Sequence, residues 1–142
     1  MKTKALILGG LFAVGVLLAG RPVLAHHSFA AEFDSEKPIT LTGIVTKVEW
    51  TNPHVWFYIN VKDDKTGSVT NWGAEMGPPH GLQRRGWRHD TLKIGEEVTV
   101  AGSLAKNGTK RINASKVTMT STGARPGETL DAASSGSAEK VD

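Results

Sequence analysis

The stretch that decides the fold runs from residue 39 to residue 61. It reads Ile39-Thr40-Leu41-Thr42-Gly43-Ile44-Val45-Thr46-Lys47-Val48-Glu49-Trp50, then Thr51-Asn52-Pro53, then His54-Val55-Trp56-Phe57-Tyr58-Ile59-Asn60-Val61. Two runs rich in β-branched and aromatic residues flank a segment of turn chemistry, which predicts two strands and a connection. The second run alternates cleanly. Val55, Phe57, Ile59 and Val61 fall on one side; His54, Trp56, Tyr58 and Asn60 fall on the other. Successive strand residues point to opposite faces, so the aliphatic side is the core side. In the first run Ile39 and Leu41 share one face, while Ile44, Val48 and Trp50 have the opposite parity. The phase slips at Gly43, which predicts a bulge or sharp bend there. A first strand that bends can serve two sheets, as closing a small barrel requires.

Further along, Lys62 to Ser68 is a polar hairpin loop, and Val69 to Met76 is a third strand carrying Trp72 and Glu75. Gly77-Pro78-Pro79 ends it. His80 to Trp87 fits a two-turn helix with Leu82 facing in. Glu96 to Leu104 alternates at Val98 and Val100, Lys106-Asn107-Gly108-Thr109 is a hairpin turn, and Ala114 to Thr120 is a last strand with Val117 and Met119 inward. The order β-β-β-α-β-β with a bent first strand is that of a five-stranded OB-type β-barrel, an all-β fold with one short helix. A partly open β-sandwich of the same strands is the alternative.

The ends of the chain carry a different message. Lys2 and Lys4 precede an apolar run from Ala5 to Gly20, and Val23-Leu24-Ala25 closes it with small residues at two of three positions. This is the layout of a secretory signal peptide, residues 1–25, cleaved after Ala25. The run falls short of the roughly 20 apolar residues that span a bilayer, so the membrane is met only through the signal before cleavage. The expected location is the periplasm or the extracellular medium. Residues 26–37 form an N-terminal leader, residues 38–120 the barrel, and residues 121–142 a Gly/Ser/Ala-rich tail expected to be disordered.

Charge narrows the partners. The chain has 17 Lys and Arg against 14 Asp and Glu. The signal holds three of the basic residues (Lys2, Lys4, Arg21) and no acidic one, which leaves the mature chain balanced at 14 against 14. Nucleic-acid binders carry a basic surplus, so nucleic acid is not the expected partner although OB folds commonly bind it. There is no cysteine, hence no disulfide, thiolate metal site or cysteine nucleophile.

His26-His27-Ser28-Phe29-Ala30-Ala31-Glu32-Phe33-Asp34 is followed by Gly43-x-Val45 with Val48-Glu49-Trp50-Thr51-Asn52-Pro53-His54. Arg85-Gly86-Trp87, Leu92-x-x-Gly95 and Val98-Thr99-Val100-x-Gly102 come after these. Together these stretches, spanning residues 26–120, resemble a family of secreted bacterial proteins catalogued as a domain of unknown function. The resemblance implies export and a small β-barrel; it implies no activity. The strand order is also similar to that of periplasmic bacterial OB-fold proteins.

Three groups of residues are candidates for function. Cleavage after Ala25 would make His26 the first residue, so its α-amine and imidazole would chelate one metal ion, with His27 and His54 adding imidazoles. Nitrogen donors of this kind suit Cu(II) before Ni(II) and Zn(II). The competing reading is a leader with two solvated histidines. The second group is the aromatic face His54, Trp56 and Tyr58 with Trp72, on the side of strands 2 and 3 where OB folds hold ligands. A small molecule, peptide or glycan is the class that fits; the competing reading is that Phe29, Phe33 or the helix packs over the rings. The third is the basic set Arg84, Arg85, Arg88 and His89, an anion site or, more simply, a solvated helix face paired with Asp90 and Glu75.

Catalysis finds no support. No Ser-His-Asp set with recognisable context and no Gly-rich phosphate loop is present. Glu49, Glu75 and Asp90 follow no fixed spacing. The expectation is a non-catalytic binding module of the cell envelope that takes a metal ion at its mature N-terminus. The alternative is an OB-type module binding a small ligand on the aromatic face.

Overall fold

The computed structural model describes residues 28–120 and 127–133. Residues 1–25, read as a signal peptide, lie outside the described residues, as do His26 and His27. The elements are α1 (Ser28–Glu32), β1 (Phe33–Glu49), β2 (Trp56–Lys62), β3 (Val69–Glu75), α2 (Pro79–Arg84), β4 (Glu97–Ala105), β5 (Arg111–Met119) and β6 (Thr129–Asp131). All adjacent pairs are antiparallel except β3 with β5, which pair in parallel at Gly73/Arg111, Ala74/Ile112 and Glu75/Asn113. That contact closes β1, β2, β3, β5 and β4 into a ring of five strands, with α2 between β3 and β4. The OB-type order of strands is therefore observed, and a partly open sandwich is not.

The ring closes on the aliphatic side of β2. Val55, Phe57 and Ile59 are fully buried, together with Ala74 and Met76 of the β3 side, Val98 and Val100 of β4, and Ile112, Ala114 and Val117 of β5. Val61, expected in the core, is half-buried near the strand end. α2 starts on Pro79, whose fixed φ and missing N–H suit a first helical position. It places Leu82 fully inside, and Trp87 follows it into the core.

The irregularity in β1 sits later than Gly43. The odd-numbered residues keep their inward parity through Gly43 to Val45, which is buried, and the register with β2 shifts only between Val45 and Lys47. Thr46 is the extra residue there, after which Val48 and Trp50 turn to the core. Ile44, expected to share their parity, is 40% exposed. Gly43 serves a close approach: a Cβ at this position would stand 2.5 Å from the backbone oxygen of Asn60. The absence of a side chain broke the apolar pattern without changing its phase.

Both chain ends do more than expected. The last residues of the leader extend β1 back to Phe33, which pairs with Ala105. Phe29 and Phe33 stack on each other at 5.8 Å, and Phe33 is buried apart from the main core. In the tail, Thr129–Asp131 forms β6 on the edge of β5, burying Leu130 and Ala132. The indole Nε1 of Trp87 donates to the backbone oxygen of Asp131 at 2.7 Å, and Gly77 N donates to Ala132 O at 3.0 Å. A short strand needs little apolar area when its backbone finds a ready-made edge, which is why composition misled for this segment.

Candidate functional site

The outer face of β1, β2, β3 and the start of β5 is one continuous tract. Strand register puts Glu49, Trp56 and Glu75 in one cross-strand row, and Lys47, Tyr58, Gly73 and Arg111 in the next. Residues directly opposite each other share a face, so these side chains point away from the core together. Trp56 and Tyr58 are half-buried, and each ring has a cation above it. The Arg111 guanidinium lies 4.8 Å from the Trp56 centroid and Lys47 Nζ 5.4 Å from that of Tyr58. Tyr58 Oη donates to Glu49 Oε2 at 3.2 Å, and Lys47 Nζ reaches Glu49 Oε1 at 2.5 Å. This contact holds the Lys47 ammonium above its usual range and the Glu49 carboxyl below its own. Burial pushes the Tyr58 phenol up, and its hydrogen bond to Glu49 adds to the rise. Gly73 leaves the floor flat between the rings: a Cβ there would come 3.3 Å from Tyr58 Cε1 and 3.6 Å from Trp56 Cζ3.

At the head of the tract stands a histidine–carboxylate pair. His54 precedes β2 just after the turn, whose Asn52–Pro53 bond is cis. Its Nδ1 is hydrogen-bonded to Glu75 Oε1 at the end of β3. Met76 N donates to Val55 O at 2.8 Å and Val55 N donates to Gly77 O at 3.1 Å, which fixes the two chain segments side by side. Glu75 is only 7% exposed although it faces outward, and its Oε2 is buried without a hydrogen-bond partner among the described residues. Burial raises the Glu75 carboxyl above the usual carboxylate range. The charge and hydrogen bond of His54 oppose the rise, the charge of Glu32 adds to it, and the charge of Arg111 opposes it. α1 is tied down by Lys106 N donating to Glu32 O at 2.9 Å and by Lys106 Nζ donating to Ala30 O.

His54, Trp56 and Tyr58 are thus brought together as expected, but Trp72 is not among them. Trp72 lies opposite Ile59, on the core-facing side of β3, and packs against the core with Lys110 Nζ 5.2 Å from its ring. Its parity matches Ala74 and Met76, so alternation within β3 already carried that signal. Among the described residues, no ring contact joins Phe29 or Phe33 to Trp56 or Tyr58. The basic set is also dispersed. Arg85 bonds Ala133 O and approaches Asp131 at 3.8 Å, pinning the tail, and Glu75 pairs with His54 in place of any arginine. Asp90 holds none of them among the described residues.

His54 and Glu75 do not make a complete metal site. Among the described residues, no group of three or more His, Asp or Glu side chains is clustered to hold an ion. The other proposed ligands, His26 and His27, lie outside the described residues.

The chain belongs to DUF6152, a family of unknown function. The family model matches residues 14–115, taking in α1, β1 to β4, α2 and the first half of β5. His54, Glu75, Trp56 and Tyr58 all lie inside the match, whereas β6 lies beyond it. No curated protein matches the chain.

Proposed function

We propose that this protein is an exported, non-catalytic binding module of the cell envelope that holds one Cu(II) ion between its mature N-terminus and His54. The reading is supported above all by where the leader joins the ring. α1 is fastened to the ring by Lys106 N donating to Glu32 O and by the Phe33–Ala105 pairing, and His27 is covalently next to Ser28, the first residue of α1. A fully extended residue spans at most about 3.5 Å, so few residues separate the amine and imidazole of His26 from the fold. An imidazole oriented by a carboxylate is the usual form of a metal-bound histidine. An amine and an imidazole on one residue chelate without ordering more of the chain, and such nitrogen donors favour Cu(II).

A second reading keeps the same face and changes the ligand: a small molecule, peptide or glycan on Trp56 and Tyr58. The half-burial of both rings favours it, but Arg111 and Lys47 already occupy one side of each ring.

The test is the intact mass of envelope-extracted protein with and without added Cu(II). The proposal expects a chain beginning at His26 that carries one copper. A start at Ala30 or later removes both histidines and contradicts it, as does a chain from His26 that takes up no copper.

A further inference from the structure

The ring has a seam where β3 and β5 meet. They pair from Gly73/Arg111 to Glu75/Asn113, and beyond that Gly77 bonds to the tail in place of β5. β6 fills the gap. On one side Thr129 to Asp131 pair with Thr118 to Lys116, and Ala132 N donates to Ser115 O at 2.8 Å. On the other side Gly77 N donates to Ala132 O at 3.0 Å and Trp87 Nε1 to Asp131 O at 2.7 Å. The Arg85 guanidinium donates to Ala133 O.

These walls read the backbone of the strand more than its side chains. Trp87 and Arg85 are aimed at carbonyls, which any extended segment presents. Trp87 is buried, so an empty seam would leave its indole N–H short of a partner. Side chains enter the walls at two points. Leu130 is buried beside Gly86, where a Cβ would stand 3.8 Å from Leu130 Cδ2, and Ala132 is fully buried. Asp131 lies between them, half exposed, with its carboxylate 3.8 Å from Arg85. Main-chain hydrogen bonds combined with pockets for alternate side chains are how a sheet edge takes up a peptide.

Two observations separate the strand from the place it fills. Gly77, Arg85, Gly86, Trp87 and Ser115 lie inside the family match, whereas β6 lies beyond it. β6 is also only three residues long and buries one large side chain, so it opens at lower cost than the ring. Once β6 leaves, the β5 edge from Ser115 to Met119 is a row of unpaired backbone groups, a template for another strand.

We propose that the seam is a strand-accepting site for an extended segment of a partner protein, and that β6 holds it in cis as a competitor. The partner segment carries a large aliphatic residue, an acid and a small residue in succession. These match the Leu130 pocket, Arg85 and the Ala132 position. The segment adds antiparallel to β5, and the chain's own strand lowers its apparent affinity by keeping the seam filled. None of these residues belongs to the metal reading.

The experiment uses the full chain labelled with nitrogen-15, as wild type and as Ala132→Asp, which puts a charge where β6 must be buried. The probe is a synthetic peptide of residues 127–133, blocked at both ends. In a folded Ala132→Asp protein, checked by circular dichroism, the peptide should shift the amides of Gly77 and Lys116 and the Trp87 indole. The wild type should need about 10-fold more peptide or greater for the same shifts. A folded variant that ignores the peptide overturns the proposal, as does a wild type that binds equally well. Hydrogen exchange on the wild type decides the matter even if the variant does not fold. The Ala132 amide should exchange about 10-fold faster than the β2 amides or more. Equal rates would mean that β6 leaves only when the ring unfolds, and the site would never open. A wild-type dimer at rising concentration that Ala132→Asp abolishes would also overturn the proposal, in favour of strand exchange between copies.

Discussion

The two faces of β2 differ in what holds them. On the inner face, Val55, Phe57 and Ile59 are completely buried and belong to the apolar cluster inside the ring. On the outer face, three residues in alternation are engaged by charges: His54 by Glu75, Trp56 by Arg111, Tyr58 by Glu49 and Lys47. The inner face is held by the hydrophobic effect, which is non-directional and tolerant. The outer face is held by directional contacts between named groups, which is what a recognition surface requires. β2 and the two residues before it thus carry the fold on one side and the candidate site on the other.

The contrast breaks first where it is steepest. Val55→Asp or Ile59→Asp places an unpaired charge in the sealed core and should abolish cooperative unfolding, as read by circular dichroism. A folded variant of either would mean the inner face is not the core. Next is the tail strand. Leu130→Ala should cost roughly 2–5 kcal/mol in denaturant unfolding, near the low end because Leu130 keeps 8% exposure. No loss would mean that β6 does not seal the β5 edge. Gly43→Ala, which drives a methyl group toward a β2 carbonyl, should cost about 1–3 kcal/mol. Smallest is Trp56→Ala. It removes a half-buried ring and its cation contact, worth about 1 kcal/mol at a partly exposed site, and should lower the melting temperature by only about 4–8 °C. A large drop would make the outer face a second core and blunt the comparison.

Much of the inner face was legible in the sequence because alternation is a local property. The clean period of residues 54–61, the turn at Asn52-Pro53, the helix around Leu82 and the strands around Val98 and Val117 all follow from neighbours in the chain. Two of the misreadings share a cause, partners distant in sequence. Gly43 looked like a phase slip because the carbonyl that excludes a side chain there belongs to Asn60. Thr129–Asp131 looked disordered because the edge that receives it is on β5. Trp72 was grouped with Trp56 and Tyr58 by chemical type, although its own parity placed it inside. The most consequential omission is Glu75. Its sequence shows one acid in a strand and nothing more, because its partner, His54, lies 21 positions earlier. A usable signal existed: a charged residue on the outward parity of a strand expected to lie opposite the aromatic run.

The measurement that tests the account most directly is electron paramagnetic resonance of Cu(II) on three samples. These are the chain beginning at His26, the same chain acetylated on its terminal amine, and His54→Ala. The account predicts nitrogen hyperfine structure from the terminal amine, the His26 ring and the His54 ring in the first. One nitrogen should be lost in each of the others, from the amine and from His54 respectively. Identical spectra from all three would contradict it, because neither the terminal amine nor the outer face of the ring would then hold the ion.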